Sequence, residues 1–130
     1  NVEEFFRRLM EFTKNLKEED QRAIAEGLSE EELAVFDLLT KPEIELTDKQ
    51  VAEVKAVAHD LLEKLKKEKL VLDWRKKQQT RASVKVTIEE VLDRLPEVFS
   101  IDLYREKVER VYQHVYDSYF GEGRSVYGAA

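Results

Sequence analysis

Cysteine is absent from the 130-residue chain, which excludes disulfides and thiolate metal sites. Proline occurs twice and glycine four times, and only Gly27 among the glycines lies before position 121. That is too little turn chemistry for a many-stranded sheet, so the predicted class is all-α, an irregular bundle of about five helices. No apolar run approaches the roughly 18 residues a membrane-spanning helix needs. No cleavable amino-terminal signal is visible either, so a cytoplasmic location is expected by elimination. The chain opens at Asn1 inside a periodic pattern and reads as a piece of a longer protein.

Charge, by contrast, is plentiful. Charged residues make up 38% of the chain, with a net charge of −6, so helices with heavily solvated faces are expected. The signs are unevenly placed. Between Lys64 and Lys85 nine basic residues stand against Glu68 and Asp73, a local +7 that leaves −13 for the remainder. Such segregation within a small domain predicts a surface that meets something.

Periodicity divides 1–120 into one domain with helices near 2–26, 29–40, 47–69, 73–95 and 100–119, followed by a flexible tail over 121–130. In the first helix Phe5, Leu9, Phe12 and Leu16 form a stripe with Phe6 and Met10 alongside, and the two early phenylalanines predict an anchored element. This helix continues or restarts after Lys17 and stops at Gly27. Ser29/Glu32 and Thr47/Gln50 spell capping boxes, with Leu28/Leu33 and Leu46/Val51 as hydrophobic staples. Pro42 closes the second helix and Pro96 the fourth. The lysines of 63–69 suit the negative end of a helix dipole.

The stretch after them is harder to place. Leu70, Val71 and Leu72 cannot all share one helix face, so a buried turn or a junction packed on both sides is expected. Asp73 is predicted to cap a helix starting at Trp74. Arg75, Lys76 and Lys77 then fall in its first turn, where each cation costs a few tenths to about 1 kcal/mol. An anion, an acidic partner surface or a solvated kink would offset that cost. The last helix carries two stripes, Tyr104/Val108/Val111/Val115 and Tyr112/Tyr116/Tyr119, and is either central or docked on one side. The tail is expected to be loosely held unless Val126 and Tyr127 dock.

The search for reactive groups returns no active site. His59-Asp60 resembles the pair used by metal-dependent phosphohydrolases, but no histidine precedes it, and a solvated histidine near Glu63 is the preferred reading. His114, between Arg110 and Asp117 at helical spacing, predicts a surface ion-pair network. No nucleophile elbow occurs. Gly121-x-Gly123-Arg124-Ser125 follows a helix, whereas a phosphate cradle links a strand to one. No catalytic, cofactor-binding or metal-binding residue is therefore assigned.

The contact candidates are Trp74, Arg75, Lys76, Lys77, Arg81 and Lys85, of which Lys77, Arg81 and Lys85 line one helix face at spacings of four. Such a stripe suits phosphates. The low pI of about 5.1 and the lack of interleaved aromatics weigh against a dedicated nucleic-acid binder. The residues by themselves indicate a helical interaction domain.

Three stretches go further: ELAVFDLLTKPEIELT (Glu32 to Thr47), KLVLDWRKKQQTRASVKVTIEEVLDRLP (Lys69 to Pro96) and VYQHVYDSYFGEGRSVY (Val111 to Tyr127). Together they resemble the carboxyl-terminal helical domain of the restriction (R) subunit of type I restriction-modification enzymes. The resemblance covers nearly the whole chain and is weakest before Gly27. It implies a parent protein with an amino-terminal nuclease, two helicase lobes that translocate DNA with ATP and magnesium, and helical domains at the carboxyl end. None of the nuclease or ATPase motifs falls on these residues, so no cofactor is expected in this stretch. The resemblance also implies modification (M) and specificity (S) subunits as partners, with DNA in the full assembly. Docking onto that methyltransferase core is the first expectation, and accessory contact with the translocated duplex is the alternative.

Overall fold

The computed structural model describes residues 2–14 and 18–129, and the side chains of residues 2–11 and 21–128. Six α-helices are present: α1 (Val2–Lys14), α2 (Glu18–Glu26), α3 (Glu30–Thr40), α4 (Asp48–Lys64), α5 (Gln78–Leu92) and α6 (Ile101–Ser118). The all-α class is thus observed. The junction after Lys14 and the expected stripe members Phe12 and Leu16 lie outside the described residues or side chains.

The helix starts follow local chemistry. Ser29 Oγ accepts from the Glu32 amide at 3.1 Å, and Glu32 Oε1 accepts from the Ser29 amide at 2.8 Å. Thr47 and Gln50 repeat the exchange at 3.1 and 2.9 Å. Each box satisfies two amides that a helix start leaves without partners. Gly27, at φ +72°, ends α2 with the Leu28 amide donating to the Ala23 carbonyl at 2.9 Å. Before Pro42, Lys41 is pushed to extended geometry (φ −109°, ψ 139°), which closes α3.

The core lies between α3, α4, α5 and α6. Val35 and Leu39 of α3, Val54 and Leu61 of α4, Ile88 and Leu92 of α5, and Val111 and Val115 of α6 expose no surface. Both stripes of α6 are satisfied inside the molecule: the valines enter the core, and Tyr112 and Tyr116 pack against it. This helix is central, not docked outward.

One core residue is charged. Lys107 exposes no surface, and its Nζ donates to the carbonyls of Leu38 at 2.9 Å and Lys41 at 2.6 Å. These lie at the carboxyl end of α3, where helix carbonyls lack intrahelical partners. Burial, reinforced by neighbouring Arg110, pulls the Lys107 ammonium below the usual lysine range.

Three expectations change. α4 ends at Lys64 in a π-helical turn, Leu65–Lys69, closed by the Leu70 amide on the Leu65 carbonyl at 2.9 Å. The described side chains of α1 are all exposed, including Phe5 at 64% and Phe6 at 56%. The early phenylalanines therefore do not anchor α1 on this domain. The tail folds into a small antiparallel sheet of β1 (Tyr119–Gly121), β2 (Arg124–Ser125) and β3 (Gly128–Ala129), in that order. Tyr127 does dock, packing on Tyr119 with ring centroids 5.9 Å apart. Val126 keeps an exposed side chain, although its amide bonds the Ser118 carbonyl at 2.9 Å.

Candidate docking surface

No helix begins at Trp74. Asp73 is not a cap; its backbone sits at φ +57°, a left-handed turn that asparagine and aspartate tolerate better than most residues. The turn drives the Trp74 indole fully into the core, with Nε1–H donating to the Tyr119 carbonyl at 3.1 Å. Tyr112 and Tyr116 meet its ring edge-on, at 6.5 and 5.9 Å between centroids. Burying the largest side chain of the segment outweighs one more turn of exposed helix. Trp74 is thus a structural residue and offers no surface to a partner.

α5 starts later, at Gln78. Instead of a side-chain cap, Thr80 Oγ1 donates back to the Trp74 and Lys77 carbonyls at 2.5 and 3.0 Å. Arg75, Lys76 and Lys77 accordingly precede the helix, and the expected dipole cost falls away.

Most of the basic segment is neutralised within the fold. Lys66 reaches Glu31 at 2.9 Å, Lys67 reaches Glu63 at 2.7 Å, and Lys85 reaches Glu109 at 2.6 Å. Lys64 lies 4.0 Å from Glu90, and Lys76 lies 3.4 Å from Asp73. Two arginines serve the backbone: Arg75 donates to the Tyr116 carbonyl at 3.1 Å, and Arg81 to the Arg75 carbonyl at 2.6 Å. The Arg75 guanidinium also lies over the Tyr116 and Phe120 rings, at 5.4 and 5.0 Å from their centroids. The stripe Lys77–Arg81–Lys85 is therefore not a row of free cations. Lys76 and Lys77 are exposed, and Lys77 has no carboxylate within ion-pair distance among the described residues.

The segment that carries these two lysines, with the start of the tail, also holds a feature that the charge pattern concealed. Val71 and Leu72 are 47% and 58% exposed, and Phe120 is 39% exposed. Gly121 backs this ledge so closely that a Cβ there would stand 2.5 Å from the Val71 carbonyl oxygen. The signal in the sequence was the continuous Leu70–Leu72 run. Leu70 goes inward, and the other two stay outside.

The two histidines differ. His59 is exposed on α4, with Nδ1 on a Glu32 carboxylate oxygen and Nε2 3.3 Å from Glu63. The hydrogen bond to Glu32 and its charge raise the His59 pKa. For Glu32 partial burial acts upward, but the Ser29 amide and His59 prevail and lower its pKa. His59, Asp60 and Glu63 bring candidate ligand atoms within 4.8 Å of one another. Asp60, however, is held by Arg94 at 2.7 Å and Glu63 by Lys67 at 2.7 Å. With His59 biased toward the imidazolium, the group behaves as an ion-pair network.

His114 corrects the expected surface network. Arg110 pairs instead with Glu106 at 2.9 Å. His114 is half-buried beneath the tail, 3.3 Å from the Tyr127 hydroxyl and 3.4 Å from Ser118 Oγ. Desolvation lowers its pKa, against an upward pull from Asp117. Nearby, Tyr119 donates its hydroxyl proton to Glu31 at 2.8 Å, and burial raises its pKa far above the ordinary range.

The geometry thus offers surfaces and ion pairs. Among known proteins, the model of the family described as type I restriction enzyme HindI endonuclease subunit-like, C-terminal, matches residues 1–118. The chain belongs to that family. No curated protein and no solved structure matches it. This carboxyl-terminal domain of a type I restriction endonuclease subunit includes α1 through α6 within the match, and the tail sheet lies beyond it. Among the described residues, no helix of the domain is long and apolar enough to cross a membrane.

Proposed function

We propose that this carboxyl-terminal domain docks its endonuclease subunit onto the methyltransferase core of M and S subunits, without catalysis of its own. Membership in a family of type I restriction endonuclease subunits supports this reading. The alternative, an accessory module that guides translocated DNA, requires a surface rich in free cations. The observation that favours docking is the internal pairing of the basic segment. Lys64, Lys66, Lys67 and Lys85 face carboxylates within 4.0 Å, and both arginines bond backbone carbonyls. In this reading ATP, magnesium and the nuclease and helicase steps belong to other parts of the subunit, which acts in the cytoplasm.

The test is a paired titration of the chain at about 50 mM salt, where phosphate contacts are strongest. One arm uses the methyltransferase complex of the same system, and the other uses non-specific duplex DNA. Saturable binding to the complex without a gel shift of DNA supports docking. A salt-sensitive shift of DNA without binding to the complex overturns it.

A further inference from the structure

We infer that the docking face is the ledge formed by Val71, Leu72 and Phe120 with Lys76 and Lys77, and that its occupant is an acidic, apolar-anchored protein segment. The inference deepens the docking reading and rests on it.

Three large apolar side chains stand in solvent around one junction of the fold. The Leu70 carbonyl accepts from the Glu122 amide at 3.2 Å, which ties the 70–77 turn to the β1–β2 turn. Arg75 of the first turn lies over the ring of Phe120, which precedes the second. One backbone bond and one cation–ring contact thus join the two turns that carry the ledge. Among the described residues, the two non-glycine positions in the left-handed region, Asp73 at φ +57° and Glu122 at φ +50°, flank it.

Charge identifies the occupant. Arg75, Lys76 and Lys77 outnumber Asp73 and Glu122 around the ledge and leave it net positive, on a chain of net charge −6. Lys77 has no carboxylate in range, and Lys76 holds Asp73 only at 3.4 Å with its side chain 77% exposed. A partner placing carboxylates over Lys76 and Lys77 would gain complementary potential. A partner placing apolar side chains on Leu72 and Phe120 would remove them from water. Duplex DNA supplies the first contact but has no apolar surface for the second outside its grooves. An anionic membrane could supply both, yet its broad plane of charge would also face the acidic remainder of the chain, whereas a segment meets the ledge alone. A protein segment with alternating acidic and apolar residues meets both demands.

The experiment compares Leu72→Ser, Phe120→Ser and the double variant Lys76→Glu/Lys77→Glu, with Lys49→Glu and Phe5→Ser as controls. Circular dichroism melts first establish that each variant folds. Binding to the methyltransferase complex is then titrated, and anionic phosphatidylserine vesicles and duplex DNA are assayed in parallel. Loss of about tenfold or more in affinity for each ledge variant, with neither control affected, is the expected result. Wild-type binding that no ledge variant weakens leaves docking intact and overturns this inference. Loss confined to Phe5→Ser moves the dock to α1 and overturns it too. Absence of wild-type binding to the complex overturns both. Ledge-dependent binding to vesicles or DNA in place of the complex overturns the assignment of a protein occupant.

Discussion

The indole N–H of Trp74 donates to the carbonyl of Tyr119, 3.1 Å away. That one bond joins the irregular turn after α4 to the residue where α6 gives way to the tail sheet. The turn and the tail are consequently one structural unit, although 45 residues separate their closest polar contact.

Trp74→Ala should remove about 3–5 kcal/mol of stability. Urea denaturation followed by circular dichroism measures it. The loss should far exceed that of Trp74→Phe, which keeps a ring but forfeits the bond to Tyr119. Equal losses for the two variants would contradict this account of the site.

The cations of the basic segment should separate into two classes. Arg75→Ala removes a carbonyl bond and two ring contacts, so a cost of about 1–2 kcal/mol is expected. Lys77 is exposed, so Lys77→Ala should stay within about 0.5 kcal/mol of the parent. Thermal melts of the two variants check the division.

Gly121→Ala should destabilise by more than about 1 kcal/mol. The backbone there is at φ +103°, and the added methyl would meet the Val71 carbonyl at 2.5 Å. Loss of ellipticity at lower denaturant would be the readout, and an unchanged midpoint would refute the close approach.

Lys107→Met should cost about 1–3 kcal/mol, because the carbonyls of Leu38 and Lys41 lose their buried donor. Hydrogen exchange should then show the last turn of α3 opening before the rest of the helix. Uniform protection along α3 would refute the role as a cap.

His59 links stability to pH. Its pKa is raised in the folded state, so its contribution is complete below about pH 6.5 and disappears as pH climbs through the folded value. Glu32 has a lowered pKa, so its share is present above the ordinary glutamate value of about 4.3 and is lost as pH falls through the folded value. His59 is exposed, so the effect on Tm should be small. His59→Ala should flatten the Tm profile between about pH 6 and 8; a slope identical to the parent's would refute the link.

Helix starts and stops were legible because their causes are local. Ser29, Thr47 and Pro42 act on amides and carbonyls within a few residues of themselves. Lys107 escaped notice although it occupies a position of the buried α6 face, since a lysine reads as solvent-facing until its distant carbonyl partners are known. The same holds for the basic segment, whose neutralising partners Glu31, Glu90 and Glu109 come from other helices. Asp73 misled for a different reason: aspartate serves both as a helix cap and as a left-handed turn residue. Which role it takes was decided by the burial of Trp74 next to it. Of the six contact candidates, Trp74 lies inside, Arg75, Arg81 and Lys85 are engaged internally, and Lys76 and Lys77 remain at the surface. The apolar half of the ledge was hidden because exposure of Leu72 and Phe120 depends on contacts across the fold.

α1 carries a separate consequence. It has 13 residues, and its apolar side chains at Val2, Phe5, Phe6 and Met10 are more than half exposed. A helix of that length is marginal in water without tertiary cover. Its helicity should therefore act as an occupancy gauge. An amide-exchange signal from residues 2–14 would slow when a surface closes over the stripe and quicken when it leaves, independently of the domain beneath.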